Sequence, residues 1–198
     1  MQKNALLIFI KNPIKGTAKT RLAATIGDDA ALEVYQELLA YTRLITEAST
    51  ADKHLFYNRF IDAEDAWDNT TFQKKLQIQG DLGAKMLAAF QQIFGEGYQK
   101  AVIIGSDCGD LTTDIIEQAF KALDTHEVVF GPAQDGGYYL LGMSELHNCI
   151  FQNKSWSTAI LRKETVEELD ALQISHTNLV ELNDIDEYAD LLDWRKRK

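Results

Sequence analysis

The chain has 198 residues, 45% of them hydrophobic, with 30 Asp and Glu against 20 Lys and Arg and a formal charge of -10. That length suits a single domain over residues 1–198 with a substantial core, and the acidic balance argues against nucleic acid or an anionic membrane surface as a broad partner, since both need an extended basic face. No apolar run approaches the roughly 18 residues of a membrane span, residues 1–10 are too short for a signal peptide, and Cys108 and Cys149 form no metal-type pair, so a cytoplasmic protein with reduced thiols is expected.

The first apolar run, residues 5–10, reads as a strand. It ends abruptly in a loop carrying Lys11, Lys15, Gly16, Lys19 and Arg21. On an acidic chain, such a cluster of cations after a strand suits an anion, a phosphate first, because Lys and Arg side chains compensate its charge. The alternative is a solvated surface loop. With Gly16 as its single glycine, the loop lacks the first glycine of a Walker A sequence, and a P-loop NTPase is excluded. A helix over residues 28–48 follows, with apolar positions recurring near a 3.6-residue period and Asp28 and Asp29 at its positive end.

Residues 53–57 and 76–79 read as the next strands, and the polar stretch 58–71 between them reads as a variable insertion. Gln79 and Gly80 then turn into a helix over 82–94, with Asp81 as its N-cap. The strand at 101–105 leads into Ser106, Asp107, Cys108, Gly109 and Asp110. Two carboxylates three residues apart at a strand end suit Mg²⁺ or Mn²⁺, which would bridge to phosphate oxygens; helix capping before a helix at 112–123 is the competing role for Asp110.

Strands at 128–131 and 138–143 flank Asp135, Gly136 and Gly137. These three form a good hairpin turn, and equally a place where a ligand can approach the backbone while Asp135 faces it. Trp156, as a packing anchor or a stacking platform, introduces a helix over 158–172. The last helix covers 186–194, and the basic tail 195–198 reads as a frayed, solvated end. His54, His126, His147 and His176 show no metal-ligand spacing, and neither cysteine has local activation. The alternation of strands and helices implies an α/β layer fold with a mostly parallel sheet, its ligands gathered at the carboxyl ends of the strands.

Taken together, KNPIKGTAKTRL, QGDLGAKM, GSDCGDLT, GPAQDGGYYLLG, WST and LNDIDEYADL resemble the GT-A-type nucleotide-diphospho-sugar transferase superfamily. Within it, they resemble the bacterial DUF2064 group of glycosyltransferase-like proteins. The resemblance implies a Rossmann-like three-layer sandwich whose mixed sheet has one antiparallel strand, residues 138–143. It implies that Lys15, Gly16, Lys19 and Arg21 hold donor phosphates, that Gln79 and Gly80 lie near the base or ribose, and that Asp107 is the principal metal ligand. Asp135, Gly136, Gly137 and Trp156 would then line the acceptor or sugar side. Two departures stand out. Gly109 replaces a usual proline and should loosen its loop, and Asp107 and Asp110 do not make a D-x-D pair, which leaves Asp110, Asp135 and Asp184 as candidate second ligands.

Glycosyl transfer from a nucleotide-diphospho-sugar to a small-molecule acceptor is the expected chemistry, with Lys19, Arg21 and a metal on Asp107 stabilising the departing diphosphate and Asp135 serving the acceptor hydroxyl. Nucleotidyl transfer from a nucleoside triphosphate to a phosphorylated acceptor uses the same groups. A noncatalytic nucleotide-binding module is the third reading.

Overall fold

The structure, a computed structural model, describes residues 3–197. Seven strands are seen in it: β1 (Asn4–Ile10), β2 (Asp52–Tyr57), β3 (Phe72–Leu76), β4 (Lys100–Ile104), β5 (Val128–Pro132), β6 (Tyr138–Met143) and β7 (His176–Asn178). They form one sheet in the order β3-β2-β1-β4-β6-β5-β7. Only β6 runs antiparallel, pairing with β4 on one side and β5 on the other. The strand expected to be antiparallel is thus the one that is.

The helices are α1 (Thr20–Ile26), α2 (Asp28–Glu47), α3 (Leu82–Gly95), α4 (Thr113–Ala122), α5 (Leu161–Ala171) and α6 (Tyr188–Arg197). They cover both faces of the sheet, which is why β1 and β4 are apolar at almost every position instead of alternating. Leu6, Ile8, Val102 and Ile104 point to one face and pack with Tyr35 and Leu39 of α2 and Ile116 and Phe120 of α4. Ala5, Leu7, Ala101 and Ile103 point to the other, against Met86, Phe90 and Ile93 of α3 and Leu169 of α5. A third cluster, with Leu22 of α1, Leu38 of α2 and Leu191 and Trp194 of α6, fastens the C-terminal helix beside the head of the sheet.

Several boundaries differ from the sequence reading. The third strand lies at Phe72–Leu76 rather than 76–79. It is an edge strand, buried at Phe72 and charged at Lys74 and Lys75; such an edge needs little apolar density and is protected by its lysines. β7, at the other edge, is three polar residues long and leaves no apolar trace. The cation loop ends earlier than read, because Thr20 and Arg21 already belong to α1. Nor is the basic tail frayed: α6 reaches Arg197, Arg195 pairs with Glu37, and Arg197 pairs with Asp110; Lys198 lies outside the described residues. Among the described residues no helix is long and apolar enough to cross a membrane. Both cysteines are free thiols.

His54 on β2 is fully buried, stacks edge-on against Tyr98 at 5.0 Å, and neither ring nitrogen has a hydrogen-bond partner. Burial, aided by Lys75, lowers its pKa from 6.5 to about 4. The unfolded chain therefore takes up this proton first, so stability is lost as pH falls from the ordinary histidine value toward the lowered one. The loss attributable to His54 is at most about 1.4 kcal/mol per pH unit. We expect His54→Leu to flatten the decline of urea-unfolding stability between neutral and acid pH; curves parallel to the parent's would contradict this.

Candidate active site

β1 and β4 lie side by side in parallel register, with Ile8 opposite Ile104, so the loops leaving their carboxyl ends emerge together. They open into a cleft of about 700 Å³, walled by the loop after β1, the loop after β4, the β5–β6 turn, α3, residues 156–159 and residues 184–186. This is where an open α/β sheet gathers its ligands.

Local bonds build the wall formed by the loop after β1. Asn12 is 2% exposed; its amide N–H donates to Asn58 Oδ1 at 2.8 Å and its Nδ2 donates to the Phe60 carbonyl at 3.0 Å. On α2, the Tyr35 hydroxyl accepts from the Lys11 amide at 2.8 Å, donates to the Lys11 carbonyl at 3.0 Å, and lies 3.1 Å from Ser106 Oγ. One phenol therefore joins the loops after β1 and β4. The chain then enters the left-handed region at Lys19 (φ 50°, ψ 43°), immediately before α1. An L-residue pays roughly 1–2 kcal/mol for that conformation.

The turn places the Lys19 ammonium inside the protein, 3.3 Å from Asp107 Oδ2 and 3.0 Å from Asp186 Oδ1. Burial disfavours its charge, yet Asp107 and then Asp186 outweigh burial and raise its pKa above the usual lysine value. Arg21 stays exposed at the mouth, its Nη1 3.6 Å from Asp186 Oδ2.

The acidic side comes from two distant segments tied by backbone. The Ile185 amide donates to the Asp107 carbonyl at 2.9 Å, locking residues 184–186 to the loop after β4. Asp190 of α6 accepts from the amides of Asp186 and Glu187 at 3.1 and 2.8 Å and from Asn183 Nδ2 at 2.7 Å. The Asp184 Oδ1 is shielded and has no hydrogen-bond partner. Burial, and next the charge of Asp107, raise its carboxyl pKa well above the ordinary range. Negative charge here exceeds what Lys19 balances.

Asp135 lines the same cleft, close enough for its charge to act on Asp184, and its Oδ1 accepts from the Gly137 amide at 2.9 Å. The Asp-Gly-Gly segment is both a hairpin turn and a cleft wall, since it joins β5 to β6 and Asp135 and Gly137 line the space. Gly136 does not line it. Its φ is 87°, and a Cβ there would sit 2.1 Å from the Ala159 carbonyl oxygen, so this glycine permits close packing of residues 156–159. Trp156 lines the cleft against α3, and the Tyr138 hydroxyl behind it is shielded with no hydrogen-bond partner.

Of the sequence-derived candidates, Lys19, Arg21, Asp107, Asp135, Gly137 and Trp156 thus share one cleft. Lys15 pairs outside it with Asp29 at 2.6 Å, and Gly16 lies beside that pair. Gln79 and Gly80 are exposed and do not line the cleft; Gln77 does, held by the Phe56 and Ile10 carbonyls at 3.0 and 3.3 Å. Asp110 turns away to a two-point pair with Arg197 at 2.7 and 3.3 Å.

Lys85, Gln77, Tyr138 and Asp186 were not singled out from sequence. A D-x-D pair is present after all, as Asp184-Ile185-Asp186, far from the strand end where it was sought. Cys108 is inert: burial pushes its thiol pKa far up, and Sγ points to the Asn183 carbonyl at 3.8 Å.

The family model DUF2064, described as an uncharacterized protein conserved in bacteria, matches residues 41–158. A Desulfovibrio desulfuricans G20 protein described provisionally as a nucleotide-diphospho-sugar transferase superposes with a TM-score of 0.90 at 31% identity, covering 100% of this chain and 89% of its own. The manganese complex of Rv0371c from Mycobacterium tuberculosis H37Rv has a TM-score of 0.62 at 13% identity, covering 98% of each chain. Inositol-1-phosphate CTP transferase from T. maritima has a TM-score of 0.55 at 11% identity, covering 98% of this chain and 94% of its own. The last two show a shared fold alone. No curated protein sequence matches significantly.

Gly109 does not leave its loop loose. The Trp194 indole of α6 lies over it and donates to its carbonyl at 3.0 Å, and a Cβ at Gly109 would come within 2.3 Å of Trp194 Nε1 and 2.7 Å of Ile185 Cδ1. The bare Cα is what lets α6 clamp the segment behind Asp107. We expect Gly109→Ala to destabilise the fold by about 1–3 kcal/mol through overpacking, measured as a lower urea midpoint at unchanged slope. An unchanged midpoint would show that Trp194 yields freely.

Proposed function

We propose that this chain, which belongs to the DUF2064 family, is a metal-dependent transferase that moves a glycosyl group from a nucleotide-diphospho-sugar to a small-molecule acceptor. An enzyme of the transferase class is what its 31%-identical relative supports; the donor and the metal are our reading. One observation carries it: Lys19 and Arg21 meet Asp107, Asp184 and Asp186 in a single cleft at the carboxyl ends of the strands. A diphosphate is the ligand whose charge needs cations directly and, beside carboxylates, a divalent ion between.

The residue types suit such an ion, which would draw their carboxylate oxygens closer together than they now stand. Asp184 is a shielded carboxyl with an unpartnered oxygen, and its neighbours Asp107 and Asp186 disfavour its charge, an excess that a dication would relieve. Asp107, Asp184 and Asp186 would hold Mg²⁺ or Mn²⁺; Asp110, engaged by Arg197, would not. Bound there, the ion would neutralise charge developing on the departing diphosphate.

The chain's own groups do the rest. As the bond between sugar and diphosphate breaks, negative charge accumulates on the leaving oxygen, and Arg21 at the mouth, with Lys11 and Lys85 on the adjoining walls, offsets it. Lys19 already spends its charge on Asp107 and Asp186, so its part is to hold those carboxylates in place. Asp135, an exposed residue of the same cleft, accepts the proton of the attacking hydroxyl. Trp156 and Tyr138 contribute aromatic surface to the cleft, suited to a sugar or base.

Nucleotidyl transfer is the competing reaction, favoured by the same cations and by the fold shared with a CTP transferase. The product separates the two: nucleoside diphosphate for glycosyl transfer, pyrophosphate for nucleotidyl transfer. We expect nucleotide-diphospho-sugars with Mg²⁺ or Mn²⁺ to raise the melting temperature; a screen in which no nucleotide does so with either metal overturns a nucleotide site altogether. Asp107→Asn should lower turnover by about 100-fold or more. Arg21→Ala, at an exposed position, should weaken donor binding about tenfold with no change in folding; full affinity would return Arg21 to the solvated surface.

A further inference from the structure

We propose that Glu127, Glu145 and His147 form a second metal site, for a divalent first-row transition ion of the zinc type, at the end of the sheet opposite the cleft. It is independent of the transferase reading. Glu127 precedes β5, and Glu145 and His147 follow β6, whose antiparallel pairing brings these ends together: the Ser144 amide donates to the Glu127 carbonyl at 3.0 Å. Each residue offers one ligand atom, and the three atoms lie within 4.8 Å of one another. Among the described residues this is the group of His, Cys, Asp and Glu so converged; the carboxylates of the cleft are not.

Acidic residues gather on many surfaces, and His147 is what makes this cluster more than that. Its side chain is only 10% exposed, and its Nε2 is shielded with no hydrogen-bond partner while aimed between the two carboxylates. It lies 3.7 Å from Glu127 Oε1 and 3.8 Å from Glu145 Oε1. Those separations exceed a hydrogen bond. They are close to the about 3.3–3.5 Å between donors of a tetrahedral ion with bonds near 2.0–2.1 Å, so a few tenths of an ångström of inward movement brings the imidazole within ligating distance of an ion shared with each carboxylate.

The surroundings already orient the ligands as metal sites do. The other oxygen of Glu127, Oε2, accepts from the Ser175 amide and hydroxyl, both at 2.8 Å, leaving Oε1 turned to His147. One imidazole with two carboxylates favours zinc and its neighbours over Mg²⁺ or Ca²⁺, which prefer oxygen alone. An ion here ties the start of β5, the end of β6 and, through Ser175, the approach to β7, so its role is structural.

The test is a Zn²⁺ titration of the full, metal-stripped chain by calorimetry, paired with melting curves. One equivalent, identified as the one that Glu145→Gln weakens, should bind and raise the melting temperature, with the ring-proton resonances of His147 shifting in step. Affinity should fall at least tenfold in His147→Ala and in Glu145→Gln; the latter alters a mostly exposed side chain and keeps the test open should the former not fold. Glu33→Gln, which alters an exposed carboxylate of α2 that belongs to neither site, should bind zinc as the parent does. Absence of saturable binding, equal binding by Glu145→Gln, or loss of binding in Glu33→Gln would each overturn the proposal.

Discussion

The cleft depends on one buried cation. Lys19 is drawn under the surface by a left-handed turn and held there by carboxylates from two other segments, Asp107 after β4 and Asp186 before α6. The ammonium itself is buried while both carboxylates remain partly exposed, so the ion pairs compensate the burial of Lys19 and leave the acidic side in contact with solvent. Three stretches widely separated in sequence are thereby obliged to meet. The backbone bond from Ile185 to the Asp107 carbonyl and the Tyr35 bridge between Lys11 and Ser106 hold the same three-way junction from its two flanks.

That junction also defines what the C-terminal helix is for. α6 supplies Asp190, which shapes the 184–186 loop through three hydrogen bonds, and Trp194, which closes over Gly109. A glycine that looks like a weakness in its loop is instead the contact surface for an indole. The basic end of α6 is likewise structural: Arg195 and Arg197 reach Glu37 and Asp110 from its last turn. Pairs at such exposure contribute little individually; their consequence is that Asp110 is occupied outside the cleft.

The sheet has two chemically different ends. At the carboxyl ends of β1 and β4, cations and carboxylates alternate around an open space that fits a charged ligand. At the other end, where β5 begins and β6 finishes, two carboxylates and a shielded imidazole are compressed by the hairpin pairing. β6 links the two, because its antiparallel direction carries the chain from Tyr138 in the cleft to Glu145 and His147 below it.

The α/β class, the strands β1, β4, β5 and β6, and helices α2 and α3 were legible in the sequence, since burial on both faces writes continuous apolar runs and an amphipathic helix writes a 3.6-residue period. Lys19, Arg21, Asp107 and Asp135, singled out from the sequence, line one cleft in the structure. Edge strands β3 and β7 and the short α1 were not legible, because little of their surface is buried and little pattern is imposed. What the tertiary structure alone decided is which charges meet. Lys15 and Lys19, four residues apart in one loop, separate into a surface pair and a buried clamp by a single backbone turn. Asp110 and Asp184, both candidate second ligands by sequence, part company, because α6 draws the first out of the cleft and the Ile185 bond brings the second into it. Local sequence encodes burial and backbone preference, whereas pairing of charges across 80 or more residues depends on how the elements pack, as the Lys19–Asp107 bond at a separation of 88 shows.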